Sequence, residues 1–276
     1  MIEAILKIDK VNQRHWYAFL LGILYTVIGA ITAFALFRDF TSLATLFFTT
    51  LLLVPTLMKY LSQEEKIESK EGLCHFAQNH SDIIEVYLYL FLGIFVVYMV
   101  LGVLSVNSSY GVLSYQQDFL AKSGVTEKII ETMPASNFNS VVNILNKNLL
   151  VAVVAFLLSI VYGAGSIFLI IFNASIFATF IITIAGYVTK SIPKTFLFIV
   201  MFLIHVLPEV LGFLLAAIAG GVVSKALLDE QFAGREFSNV IKDATILFLI
   251  SILLIIIAAF LEVYVTRNLF GLWLGA

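Results

Sequence analysis

Long uncharged runs separated by short charged segments dominate the chain. Between His15 and Arg38 lie 22 uncharged residues, and between Asp39 and Lys59 lie 19 more. A helix of about 20 residues crosses the ~30 Å hydrocarbon core of a bilayer, because each residue adds ~1.5 Å. Each run therefore predicts one transmembrane helix, and the pattern predicts a third over residues 83–106.

The second half of the chain is harder to divide into helices. The longest uncharged stretch, 148–189, has 42 residues, which predicts two helices with a break at the polar sequence FNAS, 172–175. The segment 195–228 fits either a kinked single span or a re-entrant hairpin, and Pro208 favours a break because proline removes a backbone donor. A final span is predicted over 245–266. The predicted fold is an all-α polytopic membrane protein with about six transmembrane helices plus the broken or re-entrant segment.

Composition supports this fold and excludes several classes of function. Hydrophobic residues make up 61% of the chain and charged residues 12%, against roughly 45–50% and about 25% in soluble proteins. A soluble enzyme of this size would lack the charges to cover its surface. The net charge of −2 and the single cysteine argue against a nucleic-acid partner and against a disulfide scaffold. The expected environment is the lipid bilayer.

Charged segments divide the chain into three parts. We expect an N-terminal transmembrane hairpin over 1–60, a charged cytoplasmic linker over 61–82 and a helical membrane core over 83–276. None of the hydrophilic inserts is long enough to form a globular core of its own.

Basic residues predict the orientation in the membrane. Lys7, Lys10 and Arg14 precede the first span, whereas only Arg38 follows it directly. Cytoplasmic loops carry an excess of lysine and arginine. We therefore expect a multi-pass protein of the cell membrane with a cytoplasmic N-terminus.

Polar side chains inside the spans are few, so each is a candidate for function. His205 and Glu209 lie four residues apart, on one face of a helix that continues across Pro208. Three explanations stay open: the pair hydrogen-bonds freed backbone at a helix break, forms an ion or proton site, or contacts a partner. Further candidates for the same intramembrane polar site are Glu262, Asn148 and Asn173. One histidine and one carboxylate do not complete a zinc site, and we expect no metal and no cofactor.

The last sequence features are the small residues inside the spans and the absence of enzyme motifs. Two pairs of small residues four apart, Ala216/Gly220 and Ala217/Gly221, let helix backbones approach closely. Helix packing is the expected role of these four residues and of Gly163 and Gly165 in the preceding part of the chain. An interface between copies of the chain is the second reading, so a homo-oligomer is possible. The sequence contains no serine-hydrolase, zinc-protease, Walker A or dinucleotide-binding motif, and we expect no enzyme activity.

Four segments resemble the stage II sporulation protein M family, and in particular its archaeal-type members with an extra N-terminal hairpin. RHWYAFLLGILY at 14–25 resembles the start of that hairpin. Residues 146–178 resemble the family's Asn-led helix, its glycine-containing middle and the Asn-Gly-type turn that follows, which is Asn173-Ala174 here. HVLPEVLGFLLAAIAGG at 205–221 and FLEVYVT at 260–266 resemble the family's Leu-Pro-His-x-x-x-Glu segment and its closing acidic run.

The resemblance implies a non-enzymatic role. The bacterial namesake is a polytopic component of an engulfment complex and is thought to anchor or localise its partners. By analogy we expect a scaffold that localises an unidentified membrane or envelope protein, in envelope or membrane remodelling. The alternative is an ion or small-solute transporter or channel that uses the intramembrane His/Glu site, since discontinuous helices around polar residues are a common transporter design.

Overall fold

The computed structural model describes residues 16–72, 76–105, 111–123, 137–163, 167–188, 192–232 and 234–274. Over these ranges the protein is helical and has no strand. The helices are α1 (Trp16–Leu36), α2 (Thr41–Glu71), α3 (Phe76–Ser105), α4 (Ser114–Ser123), α5 (Phe138–Tyr162), α6 (Ile167–Val188), α7 (Ile192–Asp229), α8 (Arg235–Phe260) and α9 (Arg267–Leu274). A 3₁₀ turn (Arg38–Phe40) joins α1 to α2, and a π-helical turn (Leu261–Thr266) joins α8 to α9.

Seven of the described helical segments are long and apolar enough to cross a membrane. They are α1, α2, α3, α5, α6, α7 and the continuous run of α8 through α9. The prediction of an all-α polytopic membrane protein is therefore confirmed.

Helix α2 does not end at the membrane edge. It continues through Pro55 and on to Glu71, so the first half of the predicted charged linker is helical. Gly72 ends the helix with a positive φ of 56° while its N–H donates to the Glu68 carbonyl. The charged residues of this segment are thus held on a rigid helix, which matters for the site described below.

The predicted break at 172–175 is wrong. This sequence lies inside α6, and the Ser175 hydroxyl donates to the Phe172 carbonyl of its own helix at 2.7 Å. Helix α5 instead ends earlier, at Tyr162, and Gly163 follows it with a φ of 60°. Glycine adopts this backbone conformation at little steric cost, whereas an isolated asparagine in an apolar run is compatible with a helix.

The segment 195–228 is neither broken at Pro208 nor re-entrant. Helix α7 runs for 38 residues without interruption. Proline deprives the carbonyl four residues earlier of its partner, but packing against neighbouring helices makes this tolerable in a membrane. Here α7 packs extensively against α5 and α8, and this support is invisible in the local sequence.

Small residues do bring the helices together. A Cβ at Gly220 of α7 would lie 2.3 Å from the Phe156 carbonyl oxygen of α5. Gly221 packs against Leu61 of α2 in the same way, and Ala216 and Ala217 are fully buried. The sixth residue of the predicted packing set, Gly165, lies outside the described residues.

A second close contact joins α1 to α3. A Cβ at Gly93 would lie 2.2 Å from the Phe19 carbonyl oxygen, and one at Gly22 would lie 2.6 Å from that of Leu90. The N-terminal hairpin therefore packs directly on the helical core.

A buried polar network ties the short helix α4 to the bundle. The Ser42 hydroxyl at the start of α2 donates to the Gln116 side-chain oxygen, and Gln116 Nε2 donates to the Ser175 hydroxyl at 3.2 Å. All three side chains are buried. The network fixes α4 against α2 and α6.

Candidate functional site

The predicted His/Glu pair lies inside the bundle. Because α7 is continuous, His205 and Glu209 lie one turn apart on the same face, and both side chains are buried. His205 Nδ1 lies 3.0 Å from the hydroxyl of Thr266, the last residue of the π-helical turn. The imidazole also lies nearly perpendicular to the Phe202 ring, with 5.1 Å between ring centroids.

Glu209 is paired with a different helix. The Asn148 side chain on α5 hydrogen-bonds to the Glu209 carboxyl group. The Glu262 carboxyl group, on the π-helical turn, is close enough for its charge to interact with that of Glu209. Polar side chains of α5, α7 and the π-helical turn therefore share one region of the bundle.

A cation balances one of these carboxylates. Arg267 Nη2 lies 3.2 Å from Glu262 Oε1, and both side chains are partly buried. Lys147, one residue before Asn148, also interacts electrostatically with Glu262. The other terminal nitrogen of Arg267, Nη1, is buried without a hydrogen-bond partner.

The structure therefore joins four of the five predicted polar residues. Asn148 and Glu262 interact with Glu209, Glu262 pairs with Arg267, and the charge of Arg267 acts on His205, which contacts Thr266. We call these six residues the intramembrane polar group. Asn173 lies half-buried on α6, and none of its described contacts joins it to the other four. Whether this group functions as a site stays a prediction.

A second polar cluster was missed at the sequence level. Glu64 and Glu68 lie one turn apart on α2, His80 lies near the start of α3 and Asp243 lies on α8. His80 Nδ1 lies 2.6 Å from Glu64 Oε1 and 3.5 Å from Glu68 Oε1, while His80 Nε2 lies 3.9 Å from Asp243 Oδ2. All four side chains are at least 95% buried, with exposed fractions of 5%, 0%, 1% and 0%.

One signal pointed to this cluster. The buried face of α2 continues at helical spacing from Leu57 through Leu61 into Glu64 and Glu68. A charged stretch with few apolar residues is typical of an exposed linker, which hides the helical periodicity beyond Lys59. The contribution of Asp243, from a helix far along the chain, had no local signal.

A cavity opens between α2 and α7, and none of the four cluster residues lines it. It has a volume of about 350 Å³ and is lined by Met58, Lys59, Ser62, Gln63, Lys66 and Lys225. Five of these residues belong to the second half of α2, and Lys225 lies near the end of α7.

The amino-acid sequence of the chain is similar to that of a known protein family. A family model described as stage II sporulation protein M matches residues 91–267. The chain belongs to this family. No curated protein and no solved structure matches the chain.

The family match covers the first polar group but only part of the second cluster. All five residues predicted for the intramembrane site fall within 91–267. Of the second cluster, Asp243 falls within the match, whereas Glu64, Glu68 and His80 precede it. The likeness of residues 14–25 to the hairpin of archaeal-type members stays a prediction, since the family match begins at Phe91.

Proposed function

We propose that this protein is a non-enzymatic membrane scaffold that localises a partner protein through a helix–helix contact. Membership of the stage II sporulation protein M family supports a role in organising a membrane or envelope assembly. The proposed environment is the cell membrane, and the proposed process is membrane or envelope remodelling.

The observation that carries the proposal is the exposure of α5. Only 17% of its apolar stretch is buried within the protein, against 33–56% for the other membrane-spanning segments. It packs on α7 and α8 along one side. The opposite side is left for lipid or for a partner.

The exposed side of α5 is not purely apolar. Asn139, Asn143 and Asn146 are exposed at its start, and Leu150 and Leu157 continue the same face. Asparagine side chains hydrogen-bond between helices in membranes, whereas lipid tails offer no such partners. We therefore propose that the occupant is a transmembrane helix of a partner protein, with hydroxyl or amide side chains at the level of the three asparagines.

The test is site-specific photocrosslinking in the native cells. A photoreactive residue at Leu150 or Leu157 on α5 is compared with one at Leu249 or Leu253, which are equally exposed on α8. The expected result is one defined protein adduct from α5 positions alone. The double variant N143L/N146L is expected to remove this adduct and to disperse the identified partner from its normal location.

Other results contradict the proposal. Equal crosslinking from α5 and α8, or lipid adducts alone, would mean that α5 faces the bilayer. An adduct of twice the chain mass would indicate a homo-oligomer through this face instead of a different partner.

The proposed orientation has the N-terminus in the cytoplasm. The lysines at 59, 66 and 225 then lie on the cytoplasmic side, in agreement with the positive-inside rule. Two single-cysteine variants, K225C and R38C, are made in a protein without Cys74. They are predicted to differ in their labelling by a membrane-impermeant maleimide. In intact cells the label is expected at position 38 only.

A transporter or channel is the second candidate. It is favoured by the convergence of His205, Glu209 and Glu262 in the bundle interior, since intramembrane ionisable groups often mark ion or proton paths. Reconstituted in liposomes, the protein would then carry a proton or cation flux that E209Q abolishes. A flux equal to that of protein-free liposomes would leave the scaffold as the remaining proposal.

A further inference from the structure

The buried cluster of α2, α3 and α8 has the composition of a metal site. Glu64 and Glu68 supply carboxylate oxygens, and His80 supplies an imidazole nitrogen. One ligand atom from each of the three residues can be chosen so that all lie within 4.8 Å of one another. Two ligands of a tetrahedral zinc ion, each ~2.0–2.2 Å from the metal, are ~3.3–3.6 Å apart, so the outermost ligand atoms would have to move together by about 1 Å.

The carboxylates of this cluster lack the partners that burial ordinarily requires. Both oxygens of Glu68 and both of Asp243 are buried without a hydrogen bond. In the described part of the chain, neither lysine nor arginine forms an ion pair with Glu64, Glu68 or Asp243, and His80 is the nearest group able to carry positive charge. A buried charge without a partner is strongly unfavourable. A bound cation would remove that cost.

The two nitrogens of His80 face different groups. Nδ1 points to Glu64 and Glu68, whereas Nε2 is buried without a hydrogen bond, 3.9 Å from an Asp243 oxygen. Histidine ligands commonly donate their second ring N–H to a carboxylate, which fixes the ring and raises its basicity. The Phe76 ring packs edge-on against the imidazole, with 4.4 Å between ring centroids, and further restricts its orientation.

We infer that Glu64, Glu68 and His80 bind one divalent transition-metal ion, with Asp243 as the positioning residue behind His80. The imidazole favours Zn²⁺ and related ions over Mg²⁺ and Ca²⁺, which prefer oxygen ligands alone. Three protein ligands leave a fourth position for water. The ion would fasten the end of α2 to α3 and, through Asp243, to α8.

The test measures Zn²⁺ binding to the full chain. The protein is purified in lipid nanodiscs with a tag that contains no histidine, treated with a chelator and dialysed against micromolar Zn²⁺ in excess Mg²⁺. The expected result is one Zn²⁺ per chain and a higher thermal unfolding temperature with Zn²⁺ than without it.

Matched variants separate this site from adventitious binding. E68Q and H80Q each remove one ligand and are expected to abolish both the bound Zn²⁺ and the thermal shift. E71Q changes an exposed carboxylate on the same helix and is expected to bind like the wild type. D243N keeps all three ligands and is expected to weaken binding about 10- to 100-fold.

Several results would overturn the inference. They are an unsaturated uptake that E68Q and H80Q leave unchanged, complete displacement of Zn²⁺ by Mg²⁺, and the absence of bound Zn²⁺ in a folded wild-type protein. In the last case the cluster would be a set of carboxyl groups that share protons. None of these results bears on the crosslinking test of α5, because the two regions do not share residues.

Discussion

The imidazole of His205 and the hydroxyl of Thr266 lie 3.0 Å apart across 61 residues of sequence. The contact depends on a departure from regular helix geometry, because Thr266 ends the π-helical turn between α8 and α9. Such turns shift the faces of the residues that follow, and they are frequent at functional sites. In this protein the turn presents Glu262 and Thr266 towards α7.

Replacement of Thr266 by valine should weaken the attachment of this turn to α7. The side chain keeps its shape but loses the hydroxyl, so His205 Nδ1 is left without that partner. Hydrogen bonds of this kind in membrane proteins have coupling energies of about 0.6 kcal/mol, with a maximum of about 1.7 kcal/mol. A double-mutant cycle of T266V and H205A, measured by reversible unfolding in mixed micelles, should give a coupling in this range.

The control for that cycle is T183V. The Thr183 hydroxyl donates to the carbonyl of Thr179 in its own helix, so its loss should show no coupling to H205A. A coupling for T266V equal to that for T183V would mean that the His205 contact adds nothing to stability.

Removal of Arg267 should destabilise the carboxylate pair. Glu262 would lose its ion-pair partner while its charge still interacts with that of Glu209. Breaking a fully buried pair costs about 3–5 kcal/mol, and partial exposure of these side chains reduces this to about 1–3 kcal/mol. The free energy of unfolding of R267A, relative to the exposed-site variant R235A, measures the effect.

A second substitution tests its cause. If repulsion between the carboxylates is responsible, E262Q/R267A should be more stable than R267A alone, because the glutamine carries no charge. If the double variant is as unstable as R267A, the lost free energy of unfolding comes from the packing of the arginine stem and not from charge repulsion.

Gly220→Ala should separate α7 from α5. The added methyl group would lie 2.3 Å from the Phe156 carbonyl oxygen, and overpacking of this kind costs about 1–3 kcal/mol. Gly271→Ala is the matched control, because a Cβ there meets nothing within 4 Å. Thermal unfolding in detergent should therefore show a loss for G220A and no loss for G271A, and equal behaviour of the two would contradict the close contact.

The continuity of α7 predicts a long distance. Leu197 and Leu228 are exposed near its two ends, and 31 steps of ~1.5 Å place their backbones about 46 Å apart. Spin labels at these positions, in a variant without Cys74, should give a distance near this value by double electron–electron resonance. A re-entrant hairpin would instead bring the labels to within about 20 Å.

Hydrophobic pattern alone was sufficient to predict the membrane-spanning helices, because an uncharged run of 20 residues has few alternatives. It also selected the four residues that meet at the intramembrane polar group, since polar side chains in an apolar run are conspicuous. Helix breaks were less predictable. Asn173 and Pro208 looked like interruptions, but tertiary packing keeps both inside helices, whereas the end of α5 at Gly163 depends on a backbone angle.

The second cluster shows a different limit of prediction from sequence. Acidic residues such as Glu64 and Glu68 are ordinarily exposed, and only knowledge of the three-dimensional neighbours reveals that His80 and Asp243 cover them. Composition describes the average tendency of a residue type. Pairing across distant helices decides the exceptions.

The position of the Glu64–His80 cluster along the chain has a consequence for biosynthesis. Glu64, Glu68 and His80 emerge from the ribosome almost together, but Asp243 follows 163 residues after His80. At ~5–20 residues per second, that delay amounts to roughly 8 to 33 s. During this interval the translocon must handle a hairpin whose charged end has not yet met α8, so the final docking of α8 is the step that shields these carboxylates from water.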